Sequence, residues 1–90
     1  MAAADNTGAS VKYVINATWD DEAGVWVAES DEIPGLITEA PTFETLQEKL
    51  CVLVPELLEL NNCMPKARTV LIDVFLHGEI KKQINLSSAA

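Results

Sequence analysis

Basic residues are scarce in this 90-residue chain: six Lys and Arg stand against 14 Asp and Glu, for a formal net charge of -8. Lys and Arg are missing altogether from residues 13–48. That span carries Asp20, Asp21, Glu22, Glu29, Asp31, Glu32, Glu39, Glu44 and Glu48. A surface of that sign repels phosphate backbones, so direct nucleic-acid binding is not expected. It would draw in a basic partner and speed the encounter, and it also serves plain solubility. Cysteine is sparse, and His77 is the one histidine. Neither Cys51 nor Cys63 has neighbours at a zinc-ligand spacing. They read as two reduced thiols, Cys51 in or near the core and Cys63 in a loop, as expected of a cytoplasmic chain. No apolar run approaches the roughly 18 residues of a membrane span. The first ten residues hold no basic region and no apolar block, so they do not read as a secretory signal. No cofactor and no metal are expected.

What remains is one small domain. Chains of this size bury only about 60–65% of their unfolded surface, which limits the fold to one modest core. The hydrophobic fraction of 49% suffices for that core and excludes a chain disordered throughout. Residues 1–10 and 87–90 read as flexible tails around a single domain over residues 11–86.

Residues 11–19 alternate, with Val11, Tyr13, Ile15, Ala17 and Trp19 on one face. This is the period of a strand. A short acidic loop ending in Gly24 leads to a second strand over residues 25–30, and the pair predicts an antiparallel hairpin. Ile33, Pro34, Gly35 and Leu36 fit a type II turn, with proline presetting φ and glycine taking the positive φ. A short third strand follows over residues 36–39. Thr42 suits a helix N-cap and Glu44 suits the first turn. Apolar residues at Phe43, Leu46, Leu50, Leu53, Leu57 and Leu60 then alternate spacings of three and four, a helical stripe. Cys51, Val54 and Leu58 widen it. Pro55 removes one helical hydrogen bond and disfavours helical geometry at Val54. A kink is therefore expected, with Pro55 opening a second segment. Residues 68–77 form the strongest strand, with Val70, Ile72, Val74 and Leu76 on one face and Leu71 and Phe75 on the other around Asp73. Apolar residues on both faces suit a central strand or an interface. Residues 80–86 suggest a weak final strand. The fold class is α+β, β-β-β-α-β: an antiparallel sheet with one long kinked helix on one face.

Chemistry has little support in these residues. Asp20, Asp21 and Glu22 share one loop, and Asp31 and Glu32 follow the second strand. Two-metal hydrolysis needs carboxylates that converge from rigid elements, and adjacent loop residues point apart. A Cys51–His77 dyad would require a thiolate, which an apolar helix does not favour. Trp19 and Trp26 flank the hairpin loop and face each other across it. Cross-strand packing accounts for them. The functional alternative is that one ring anchors a protein partner.

Taken in order, Trp26, Asp31, the Ile33-Pro34-Gly35-Leu36 turn, Glu39, Ala40, Thr42, Leu46, Leu50 and the run Val54-Pro55-Glu56-Leu57-Leu58 resemble the HicB family of antitoxins. More narrowly, they are similar to a small bacterial HicB-like group. The likeness runs over about residues 12–75. It implies a partial ribonuclease-H-like fold without the nuclease carboxylates, and self-association as a dimer or tetramer. It also implies a non-enzymatic role covering a small basic RNA-cleaving toxin. Many members add a C-terminal DNA-binding segment. None is read after Leu86, so DNA binding is not expected. Leu36 and the Glu39-Ala40-Pro41 run also differ from the small residue and glycine that members usually carry there. The expected contact surface is Asp20, Asp21, Glu22, Asp31 and Glu32, with Trp26 as anchor. The competing expectation is a stand-alone oligomeric scaffold or ligand-binding module with no toxin.

Overall fold

The computed structural model describes residues 10–79 and 83–86. Its elements are β1 (Ser10–Asp20), β2 (Val25–Glu29), β3 (Ile37–Ala40), α1 (Phe43–Leu60) and β4 (Thr69–His77), the expected β-β-β-α-β order. The sheet order is β3-β2-β1-β4. β1 and β2 form the antiparallel hairpin, β3 adds antiparallel to β2, and β4 lies parallel to β1. β3 and β4 therefore run the same way. Parallel strands cannot be joined by a tight turn. α1 supplies the crossover, passing over one face of the sheet from the β3 edge to the β4 edge.

Local chemistry sets each boundary. Asp20 closes the hairpin loop: its carboxylate accepts from the N–H groups of Glu22 and Ala23 at 3.1 and 3.2 Å, and Gly24 N–H donates to Asp20 O at 2.8 Å. Gly35 has φ of 80°, and Leu36 N–H donates to Ile33 O at 3.2 Å, as a type II turn requires. Thr42 caps α1, its hydroxyl accepting from Thr45 N–H at 3.1 Å. At the other end Asn62 takes φ of 56°, and Cys63 N–H reaches back to Leu58 O at 2.7 Å while Asn62 N–H donates to Glu59 O at 3.1 Å. That pair of bonds is a Schellman stop, with asparagine in the position glycine usually fills.

The core lies between α1 and the sheet. Ile15, Ala17, Ala28, Ile33, Leu36 and Ala40 meet Leu46, Leu50, Val54 and Leu58, all buried. The small residues Ala17, Ala28 and Ala40 leave room for the leucines of α1.

Four expectations change. The sheet is mixed rather than antiparallel throughout, because β4 pairs parallel with β1. α1 is continuous through Pro55, and no second segment starts there. Pro55 and Cys51 are both exposed, so the ring and the Cys51 carbonyl that loses its partner lie on the solvent side, where water can replace the missing bond. Cys51 itself is exposed rather than in the core. β4 is an edge strand, so of its two expected settings the central one does not hold within this sheet. The expected tails over residues 1–9 and 87–90 lie outside the described residues. So do residues 80–82 of the weak final strand, and residues 83–86 are in no strand. Among the described residues no helix is long and apolar enough to cross a membrane.

Two stability changes follow from this packing. Pro55→Ala restores a helical hydrogen bond at an exposed site and raises stability by about 1–3 kcal/mol. Leu50→Ala, at a fully buried position, lowers it by about 2–5 kcal/mol. Urea unfolding followed by far-UV circular dichroism reads both.

Candidate binding cleft

The topology gathers one end of all four strands. β1 and β4 end there together because they are parallel, β2 starts there, and β3 finishes there, with Trp26 opposite both Trp19 and Ala40. A cavity of about 710 Å³ opens at this end, lined by Trp19, Asp21, Trp26, Pro41, Leu76, Gly78 and Glu79.

The two indoles meet edge to face, with centroids 5.4 Å apart and planes at 61°. Trp26 is held from its other side by Phe43 at the start of α1, at 6.1 Å. Asp21 accepts from the Trp19 indole N–H at 3.3 Å, which fixes that ring against the loop. Gly78 passes close to Trp19: a Cβ at that position would lie 3.0 Å from the Trp19 Cβ. A small residue is needed for the chain to leave β4 along the indole. Both tryptophans are half-buried, and Asp21 and Glu79 are exposed at the rim. An aromatic wall beside carboxylates offers a cationic side chain a ring face and a counter-charge together.

The expected acidic surface does not form one patch. Asp20, Asp21 and Glu22 sit at the cleft end, whereas Asp31 and Glu32 follow β2 at the opposite end of the sheet. A five-residue strand separates them by roughly 15 Å. The acids also differ in what they do. Asp20 holds the hairpin loop. Glu32 accepts from Val14 N–H at 2.7 Å, and Ser30 Oγ donates to Val14 O at 2.7 Å. These two side chains take over the hydrogen bonds of β1 where β2 has stopped, and Ser30 Oγ also accepts from Glu32 N–H at 3.0 Å. Glu22 and Asp31 are exposed at the two ends of β2. Trp26 is packed between Trp19 and Phe43, so it is a cleft wall rather than a protruding anchor.

The cleft includes Glu79, Gly78, Leu76 and Pro41, which sequence reasoning did not place near the tryptophans. The register of β4 on β1, with His77 opposite Thr18, puts Leu76, Gly78 and Glu79 there, and the pairing of Ala40 with Trp26 brings Pro41. The arrangements weighed for chemistry do not assemble. Among the described residues no group of three or more His, Cys, Asp or Glu is placed to hold a metal ion. Cys51 is on α1, whereas the register puts His77 on the other face of the sheet, where its Nε2 is 3.0 Å from Asn16 Oδ1.

Fold and cleft define a small α+β domain with a concave site built from aromatic and acidic groups at a strand-end corner. Residues 12–81 match the family DUF1902, a domain of unknown function, and the chain belongs to that family. It is similar to a hypothetical protein of known crystal structure from the extremely thermophilic bacterium Thermus thermophilus. The two are 45% identical, with a TM-score of 0.59, over 81% of this chain and 99% of the other. No curated protein matches it.

The division among the acids is measurable. Glu32→Ala removes a charge-assisted bond to β1 and costs about 1 kcal/mol. Asp31→Ala and Glu22→Ala stay within about 0.5 kcal/mol of the parent. Equal urea midpoints for all three variants would show that Glu32 does not hold β1.

Proposed function

We propose that the chain is a non-enzymatic, HicB-like antitoxin-type domain of the cytoplasm, self-associating, which binds and neutralises a small basic RNA-cleaving protein. The observation that carries this reading is the cleft, where Trp19 and Trp26 stand beside Asp21 and Glu79. An Arg or Lys from a basic partner fits it by cation–π attraction and ion pairing. The long acidic span supports the same partner, because it would steer a basic protein toward the β2–β3 side of the sheet. The ordered turn and helix residues that resemble HicB antitoxins support the class, and so does the β-β-β-α-β order expected with that resemblance. A binding domain of this kind needs no catalytic carboxylates. A net charge of -8 repels a phosphate backbone, which fits a protein partner rather than a nucleic acid.

The second reading, an oligomeric module without a toxin, draws on a different observation. Leu71, Phe75 and Leu76 of β4 are about half exposed, more apolar surface than a lone edge strand usually shows.

The direct test is co-expression with the product of the neighbouring gene. A stable complex with a small basic protein is expected, with quenched or blue-shifted tryptophan fluorescence. Affinity should fall steeply as salt rises. Asp21→Asn and Glu79→Gln should each weaken the complex by about 3- to 30-fold. If the neighbour is neither small nor basic, or if it binds without disturbing the tryptophans, this reading fails.

A further inference from the structure

We infer that the outer edge of β4, from Val70 to His77, is the surface on which two copies of this chain pair, strand against strand, extending the four-stranded sheet into one of eight. This deepens the self-association part of the reading above and does not depend on the toxin.

The two edges of the sheet are built differently. β3 is four residues long, lies between Pro34 and Pro41, and carries the exposed Glu39, whose carbonyl is taken by Lys49 Nζ at 2.7 Å. Short length, flanking prolines and charge are the devices that keep a sheet edge from pairing. β4 lacks the first two. It is nine residues long, contains no proline, lysine or glycine, and keeps an unbroken register with β1 from Thr69 to His77. Its one charge, Asp73, is already met by Lys12 at 3.2 Å. Its two faces carry Val70, Ile72, Val74 and Leu76 on the helix side and Leu71 and Phe75 on the other. That is the sequence of a central strand placed at an edge.

A second copy is the occupant that fits. With a two-fold axis normal to the sheet, β4 meets its copy antiparallel, and residues facing each other stay on the same side of the sheet. Registers centred on Ile72 or Val74 oppose apolar residues on the helix side. Both keep the two Asp73 carboxylates from facing each other. Charge selects the same occupant. The residues that lack any Lys or Arg, 13–48, run from β1 through β2 and β3 to the start of α1, and their acids Glu29, Asp31, Glu39, Glu44 and Glu48 come from β2 onward, away from β4. Two chains of net charge -8 approach with least repulsion through β4.

Light scattering on the full chain at tens of micromolar should give twice the monomer mass. Leu71→Lys with Phe75→Lys places a lysine at two exposed positions of the edge. It should weaken the dimer at least about tenfold while far-UV circular dichroism is unchanged. Val52→Lys, equally exposed but on α1, should leave the dimer intact. In the unmodified chain, amides of residues 70–77 should gain hydrogen-exchange protection as concentration rises, which reads the interface even if the double variant folds poorly. A monomeric parent chain overturns the inference together with self-association. A dimer that survives the double variant, or protection that does not change in β4, overturns the inference alone and moves the interface elsewhere. Toxin binding is untouched by either result.

Discussion

The parallel pairing of β4 with β1 is the constraint on which the rest of the molecule depends. The nine residues of β4 join a strand more than fifty positions earlier in sequence, and that single register decides where everything else lies. It forces the chain between β3 and β4 to cross the whole sheet, which is the task α1 performs. It buries one face of β1 under the helix, so Ile15 and Ala17 become core. It also brings the end of β4 alongside Trp19, which turns a hairpin tip into a walled cleft. Remove the register and β1–β3 remain a three-stranded meander, with the β4 side of the tryptophans open.

Local order was legible in the sequence because local physics determines it. The alternation from Val11 to Trp19, the Pro34-Gly35 turn and the Thr42 cap each have a mechanism that acts within a few residues, and each is found where that mechanism puts it. Pro55 shows the limit of such reasoning. Its cost to a helix is real, but α1 is held by Leu46, Leu50, Val54 and Leu58 packed on the sheet. A missing bond on the solvent side is too small to break that packing. β4 shows another limit. Its residues specify a strand that wants neighbours on both sides. They cannot say whether those neighbours belong to the same chain.

The cleft was only half legible. Opposed tryptophans follow from the hairpin, so Trp19 and Trp26 could be expected to touch. Glu79, Leu76 and Pro41 arrive through non-local pairing, and nothing in their own sequence marks them. The acids were legible as charge and not as function. Asp20 and Glu32 accept backbone hydrogen bonds that hold the hairpin loop and the open end of β1. A carboxylate committed to a backbone N–H is a poor candidate for a partner, because breaking that bond offsets part of any new contact. Among the acids of the expected contact surface and the cleft, this leaves Asp21, Glu22, Asp31 and Glu79 to differ between bound and unbound states, with Asp21 partly tied to an indole.

The cleft and the β4 edge share Leu76, and their geometry together has a consequence for assembly. The cleft lies where β4 ends. In an antiparallel pair centred near the middle of β4, the two ends point in opposite directions. With about 3.3 Å per residue, Leu76 lies roughly 7–13 Å from an axis at Val74 or Ile72, and its copy lies the same distance on the other side. The two clefts would then open at opposite corners of one continuous sheet, both on the helix side of β4. Each could take a cationic side chain without crowding the other. Dimerisation along β4 and capture of a basic partner in the cleft are therefore compatible uses of one strand: its outer edge serves the copy, and its end serves the partner.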